Sequence, residues 1–301
     1  MPGTIIVGLD GSLESRAAAE WAGREAQLRG AGVRLVHVWL PVPKTMAQAP
    51  LLGAETHQHW TERVPREAAE ELRRRHPGVE VTFEQRTGAV AEALLDASRD
   101  AELLVLGSRA LSGFSGFLVG SAGQSVVARA EVPVILIRAG ERAADEHVED
   151  SGGAPSADTA FRPVVLGLDS DSPDDTVVAF AFEEARLRGA ALTVVQGWSL
   201  PPYYVYSLSA GVDPREDITR ERAAELTETL LPWRQKYPDV EVVETSRLGS
   251  PANHLVDASR DASLVVVGRR VRRSPFGIHI GSVAHAVLHH AAAPVAVVAH
   301  D

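Results

Sequence analysis

Short apolar runs alternate with segments of helical period along the chain. Thr4–Leu9, Leu103–Leu106 and Val134–Ile137 are almost entirely apolar, which is typical of strands buried on both faces of a sheet. Between them, small and apolar residues recur at helical spacing in Glu14–Leu28 and Ser121–Arg129. Strands that alternate with helices in this way predict a parallel sheet covered by helices on both faces.

Three more elements complete the first predicted domain. Val33–Trp39 has the composition of a strand, and Pro65–His76 is a helix of strong helix formers. Val79–Glu84 alternates apolar and polar residues, which predicts a half-buried edge strand with Phe83 among its inward side chains. The first half therefore predicts five strands.

The second half repeats this order. Leu94–Ala101 reappears as Leu255–Ala262, and the Gly-Ser pair at Gly120 reappears at Gly281. The sequence therefore predicts two tandem α/β domains, 1–139 and 162–301. The stretch 140–161 between them is rich in Glu, Asp, Ala, Gly and Ser, so we predict a flexible linker there.

Charge and composition exclude several function classes. The formal net charge is −10, which argues against a general binder of nucleic acid or of anionic membranes. The chain has no cysteine, so disulfides and thiolate metal sites are excluded. Its apolar runs are far shorter than the roughly 20 residues that span a bilayer. We expect a soluble cytoplasmic protein.

The candidate chemistry lies where the predicted strands end. Strand one ends at Gly8-Leu9-Asp10, and strand four ends at Gly107, followed by a polar loop and by Gly120-Ser121 at a helix start. Helix starts preceded by glycines bind phosphate well, and a carboxylate suits a ribose hydroxyl. Asp10 is equally suited to a helix N-cap or an Asx-turn, so both interpretations stay open.

These residues together resemble the universal stress protein family in its tandem two-domain form. The resemblance implies a Rossmann-like or flavodoxin-like five-stranded parallel sheet in each domain, ATP as ligand, with or without Mg²⁺, and a role in stress response and signalling. It implies nucleotide contacts in the first half at Gly8, Asp10, Val38, Gly107, Ser108, Arg109, Ala110, Gly120, Ser121 and Ala122. The implied contacts in the second half are Gly167, Asp169, Gly268, Arg269, Arg270, Val271, Gly281, Ser282 and Val283.

The sequence departs from the family's loop at its second glycine, which is Ala110 in one copy and Val271 in the other. A β-carbon there costs about 1–2 kcal/mol if the backbone needs a positive φ, and little if φ is negative. Gly197 also replaces Val38, which removes a possible wall of the second adenine slot. We therefore predict tighter ATP binding at the first site.

Catalytic motifs are weak by comparison. The chain lacks a P-loop lysine motif and a Gly-x-Ser-x-Gly elbow, so we predict a binding module with no catalytic residues. An ATP-hydrolysing or adenylate-handling enzyme and a nucleotide-free scaffold remain as alternatives. His285 and His289 stand four apart on a helix and suit a metal less well than packing. Arg269, Arg270, Arg272 and Arg273 suit either phosphate or a solvated loop face.

Assembly is implied by the resemblance. Family domains pair through their fifth strands, which here are Val134–Ile137 and Val295–Val298. Such pairing would cover two open sheet edges within one chain. A homodimer of the whole chain and an unknown protein partner complete the expectation.

Overall fold

The computed structural model describes residues 3–39, 54–110, 117–118, 120–200, 215–271 and 280–301. The chain forms two compact units that divide between Arg142 and Ala143. Among the residues described, no helix is both long and apolar enough to cross a membrane.

The first unit is a parallel sheet with helices in two layers. Its five parallel strands have the order β3-β2-β1-β4-β6, and the two-residue β5 pairs antiparallel with β4. Helix α1 contacts α2, and α3 contacts α4, which gives the two layers. The bounds are β1 Thr4–Leu9, α1 Leu13–Arg29, β2 Gly32–Trp39, α2 Ala54–Arg75, β3 Val81–Thr87, α3 Val90–Ala97, β4 Leu103–Ala110, β5 Phe117–Leu118, α4 Ser121–Arg129 and β6 Val134–Arg138.

The second unit has the same strand order, β9-β8-β7-β10-β11, and all of these strand pairs are parallel. Its bounds are β7 Val164–Gly167, α5 Asp175–Arg188, β8 Leu192–Trp198, α6 Arg215–Lys236, β9 Val242–Leu248, α7 Pro251–Ala258, β10 Leu264–Arg270, α8 Ser282–His290 and β11 Val295–His300. The predicted fold class, two tandem α/β domains with five parallel strands each, is confirmed.

The core follows from the continuously apolar strands. Ile5, Leu104 and Ile135 are fully buried in the first unit, as are Leu166 and Val266 in the second. Strands covered by helices on both faces need apolar side chains at successive positions, whereas a half-exposed strand would alternate. This is why the sequence identified the central strands so readily.

Two predicted elements differ in detail. Helix α2 begins at Ala54 and contains Pro65, which we had expected at its start. Phe83 was predicted to face inwards, but it is 40% exposed on β3. Strand β3 is the outermost strand of its unit and has a neighbouring strand on one side only, so its side chains have fewer neighbours than those of a central strand.

Each outermost strand has a carbonyl capped by an arginine from the adjacent helix. Arg73 of α2 donates to the Val81 oxygen at 2.6 Å, and Arg234 of α6 donates to the Val242 oxygen at 3.2 Å. The carbonyl before each of these accepts a bond from the neighbouring strand. Because successive carbonyls point to opposite sides of a strand, the two arginines lie on the free edges.

The connecting segment has local structure that its composition did not reveal. It contains a 3₁₀ helix, Ala143–Glu146, and an antiparallel bridge between His147 and Phe161, whose ring centroids are 4.0 Å apart. Asp150 accepts the backbone N–H groups of Ala154 and Gly152, and these bonds hold the pKa of its carboxyl below the ordinary value. The boundaries 1–139, 140–161 and 162–301 and the linker's flexibility stay predictions.

Candidate functional site

A cavity of about 480 Å³ lies in the second unit, at the carboxyl ends of the strands where the strand order reverses between β7 and β10. This is where open parallel sheets bind ligands. Six of the nine residues predicted for the second site line it: Gly167, Asp169, Gly268, Arg270, Gly281 and Val283.

The other three predicted residues do not line the cavity. Arg269 is only 4% exposed, and successive strand residues point to opposite faces, so it points away from Gly268 and Arg270. Burial lowers the pKa of its guanidinium. Ser282 is exposed at the start of α8, and Val271 is 40% exposed just after β10. The Arg269 side chain is therefore turned away from the cavity, and the contact of this residue with nucleotide stays a prediction for its backbone alone.

The glycines near the ends of β1 and β7, Gly8 and Gly167, each pack against a leucine side chain. A methyl group added to Gly167 would lie 2.7 Å from the Leu255 side chain, and one added to Gly8 would lie 2.7 Å from Leu106. The family resemblance also implies a nucleotide contact at each of these glycines. A side chain at either position would have to displace the end of the leucine side chain.

The wall that Gly197 was expected to remove is supplied by Pro251. A methyl group on Gly197 would lie 2.5 Å from the Pro251 Cα, so the first turn of α7 approaches β8 as closely as a glycine permits. Pro251 lines the cavity beside Gly197. Pro251 therefore bounds the cavity where Gly197 has no side chain, and the predicted weaker binding at the second site loses this support.

The backbone at Val271 also gives no reason for weaker binding at the second site. In the described part of the chain, only glycines have a positive φ, so Val271 is outside the left-handed region. Its N–H donates to the His300 oxygen at 2.6 Å in an ordinary strand continuation. A β-carbon at this position therefore carries no backbone strain. The ranking of the two sites remains a prediction without this support.

Both candidate ribose-binding carboxylates form Asx-turns. Asp10 Oδ1 accepts the Ser12 N–H at 3.0 Å, and Asp169 Oδ1 accepts the Asp171 N–H at 3.1 Å. Both residues are exposed at the strand ends. The turn interpretation is confirmed, and it leaves an exposed carboxylate at each predicted ribose position.

An acidic loop that the sequence interpretation missed closes one side of the cavity. Asp171 accepts a hydrogen bond from Arg222 of α6 at 2.5 Å, and the Ser172 hydroxyl accepts one from Arg270 at 2.5 Å. Asp174 is the N-cap of α5 and accepts the N–H groups of the first turn. The run of aspartates was visible in the sequence, but Arg222 could not be found because it comes from α6, far along the chain.

The first unit has the same strand-end arrangement, since β1 and β4 are neighbours. Ser108 is not exposed there: its hydroxyl donates to the Ile137 oxygen, and it is 1% exposed. The Ser108 hydroxyl is therefore already used within the sheet, and the contact of this residue with nucleotide stays a prediction for its backbone alone. The Arg109 and Ala110 backbones pair with β5. In the predicted loops, 111–116, 119 and 272–279 lie outside the described residues, and Arg272 and Arg273 are among them.

The two units differ in what packs against the first glycine of the loop. A methyl group on Gly107 would lie 2.4 Å from the Glu14 carbonyl carbon, so the first turn of α1 rests on β4. Around Gly268 the nearest atoms belong to the side chains of His300 and Val177. Relative to the strand-end aspartate, α5 starts at Asp175, about one helical turn later than α1. The loop that takes the place of this turn lines the cavity with Asp171, Ser172 and Asp174.

The histidine pair on α8 forms a side-chain contact. The rings of His285 and His289 have centroids 4.4 Å apart and are tilted by 50°. Within the described ranges, no group of three His, Asp or Glu side chains is placed to hold a metal ion. The arrangement supports the packing interpretation of these histidines.

Comparison with known proteins adds three findings. The family model described as "Universal stress protein family" matches residues 1–138 and 160–299. Universal stress proteins of Mycolicibacterium smegmatis and Mycobacterium tuberculosis are 32% and 34% identical to this chain, over 98% and 97% of it and 96% of each relative. The crystal structure of a universal stress protein from Archaeoglobus fulgidus aligns with a TM-score of 0.71 at 17% identity, covering 99% of this chain and 98% of that one.

Proposed function

Because the chain belongs to the universal stress protein family in its tandem form, we propose that it binds an adenine nucleotide and acts as a nucleotide-dependent regulator of a stress response. ATP is the nucleotide that the residue pattern favours. The protein acts in the cytoplasm through a protein partner and turns its nucleotide over slowly or not at all.

The cavity of the second unit carries this proposal. Its volume of about 480 Å³ lies within the range of small-molecule sites, roughly 300–1,000 Å³. Asp169 offers a carboxylate to ribose, and Arg270 offers a cation to phosphate. Gly281, the N-cap of α8, makes no side-chain cap, so the first amides of that helix are available to phosphate oxygens.

The charged groups around the cavity favour binding over turnover. Asp171 is paired with Arg222, and Asp174 caps α5. A phosphoryl-transfer enzyme instead fixes a base on its nucleophile and a cation on the transferred group. The carboxylates here serve the loop's own structure, which supports a regulatory module.

Mass spectrometry of ligand released by heat from the purified chain tests occupancy, and calorimetry with ATP tests affinity. We expect Asp169→Asn to weaken ATP binding at the second site about tenfold, because the ribose loses a charged acceptor. Asp239→Asn is the matched control, since Asp239 is exposed and does not line the cavity. Equal affinities in the wild type and both variants would contradict the assignment.

Turnover is tested separately with labelled ATP and Mg²⁺. We expect less than one hydrolysis event per minute. Several turnovers per second that disappear in Asp169→Asn would make the protein an enzyme and contradict the regulatory proposal.

A further inference from the structure

His300 lines the second unit's cavity, and the glycine pattern gave no reason to expect it there. It ends β11 beside Arg270 of β10. Its main-chain oxygen accepts the Val271 N–H at 2.6 Å, which anchors the residue where the loop begins. Its side chain is 12% exposed. The first half has Ala139 at the equivalent position, so the group belongs to the second site alone.

The two imidazole nitrogens face different surroundings. Nδ1 lies 3.1 Å from the main-chain oxygen of Asp301 and 3.5 Å from Oδ2 of Asp174. Both are acceptors, so Nδ1 carries the proton of a neutral ring. Nε2 faces the loop glycine: a methyl group on Gly268 would lie 2.9 Å from it. The ring edge formed by Nε2 and Cδ2 therefore lies beside the loop glycine, and Nε2 carries a lone pair when the ring is neutral and an N–H when it is charged.

We propose that His300 is a phosphate-binding residue of the second site and makes nucleotide affinity depend on pH. This rests on the proposed function, because it concerns the ligand of the same cavity. The charged ring donates a charge-assisted hydrogen bond from Nε2 to a phosphate oxygen, whereas the neutral ring presents a lone pair that repels it. The extra affinity is present at low pH and is lost as pH rises and the ring of the complex loses its proton.

Charged groups surround His300 on α5, on β10 and at the end of β11. Asp174, at the N-cap of α5, and Asp301, next in the chain, present oxygens to Nδ1. Arg270, on the adjacent strand, donates to Ser172 through its guanidinium. Farther round the cavity, Asp171 and Arg222 pair with each other, and Asp169 adds a carboxylate. A bound phosphate would add negative charge on the Nε2 side, and this charge attracts the protonated ring.

Calorimetry on the full chain tests the role, with AMP as ligand and adenosine as its phosphate-free control. Wild type and His300→Gln are compared at pH 6 and at pH 8.5, so that changes in the charge of AMP itself affect both proteins equally. We expect the wild type to bind AMP about tenfold more tightly than the variant at pH 6, and within about twofold at pH 8.5. Adenosine should bind both proteins equally at both pH values.

Nuclear magnetic resonance locates the effect at the second site. The imidazole signal of His300 is assigned by its loss in His300→Gln and is titrated in the wild type, so the test does not depend on the variant's folding. Saturation with AMP should raise the titration midpoint of His300 by about one pH unit. A shift of this size means that AMP binds the protein with a charged ring about tenfold more tightly than the protein with a neutral ring. Adenosine should leave it in place.

The other possible results contradict the proposed role of His300, and they show whether the proposed function fails with it. AMP binding that leaves the His300 midpoint unmoved overturns it while leaving the proposed function intact. So does a wild-type advantage that grows with rising pH. If neither AMP nor ATP binds the wild type at either pH, the proposed function fails, and the role of His300 fails with it.

Discussion

At the scale of single residues, the glycines at the strand ends illustrate how one residue type serves two purposes. Gly107 was predicted as part of a phosphate loop, and the structure adds the backbone of Glu14, which a side chain would displace. The sequence could show that glycine stands there. It could not show which neighbour requires it, because the contact joins segments far apart in the chain.

Replacement of Gly107 by alanine tests this packing role. The added methyl group would lie 2.4 Å from main-chain atoms of α1, which cannot rotate away, so we expect a loss of about 1–3 kcal/mol in the free energy of unfolding. Gly78→Ala is the control, because nothing lies within 4 Å of its added carbon and its φ is not positive. Denaturant unfolding measures both. A loss for Gly107→Ala no greater than the control's would refute the contact.

The aspartates show where residue-level prediction stops. Asp10 and Asp169 fit both an Asx-turn and a ribose ligand, and the turn alone is visible without a ligand. Ser108 and Arg269 were included because they follow a loop glycine, yet strand alternation turns both side chains away from it. Knowing that β4 and β10 continue past the glycine would have shown that neither side chain faces the loop.

At the scale of elements, the hydrophobic pattern predicted the central strands and most helices, because burial on both faces leaves a continuous apolar run. The edges were less predictable. Phe83 is exposed although its strand alternates, and α5 begins about one turn later than α1 although the two halves align. These features depend on what covers a strand or fills a space, which the local sequence does not encode.

The arginines on the outermost strands lead to a prediction about association. Arg234→Leu removes a donor from the Val242 carbonyl and an ion pair with Glu244, so we expect a loss of about 1 kcal/mol in stability and greater self-association through the uncovered β9 edge. Sedimentation velocity over a range of concentrations measures the association. Arg220→Leu adds the same side chain to an exposed position of α6 and should leave the association at the wild-type level. Equal association of both variants would mean that added apolar surface, and not the edge, is responsible.

At the scale of the whole molecule, the internal repeat predicted two domains, and the structure has two compact units with the same strand order. The repeat could not predict how the copies differ, because the cavity of the second unit arises from a helix start and from side chains contributed by α6 and β11. The pairing of the fifth strands remains a prediction from the family resemblance.

Hydrogen exchange tests that pairing. Within its unit, β6 has β4 as its parallel neighbour, and β11 has β10, so alternate amides of β6 and β11 point away from these neighbours. If the fifth strands pair, we expect those outward amides in 134–138 and 295–300 to exchange at least about 100-fold more slowly than free amides. Exchange of the outward amides within seconds, beside protected inward ones, would show that the strands do not pair.

The contact beneath Gly107 has a mechanical consequence. In the first unit, the end of β4 packs directly against the main chain of α1, so a displacement of the strand would displace the helix as well. In the second unit, a methyl group added to Gly268 would lie 3.2 Å from the Val177 side chain of α5, and both residues line the cavity. A ligand in this cavity would therefore contact both α5 and β10. The first copy thus joins strand to helix through main-chain atoms, whereas the second joins them through a side chain that also lines the cavity.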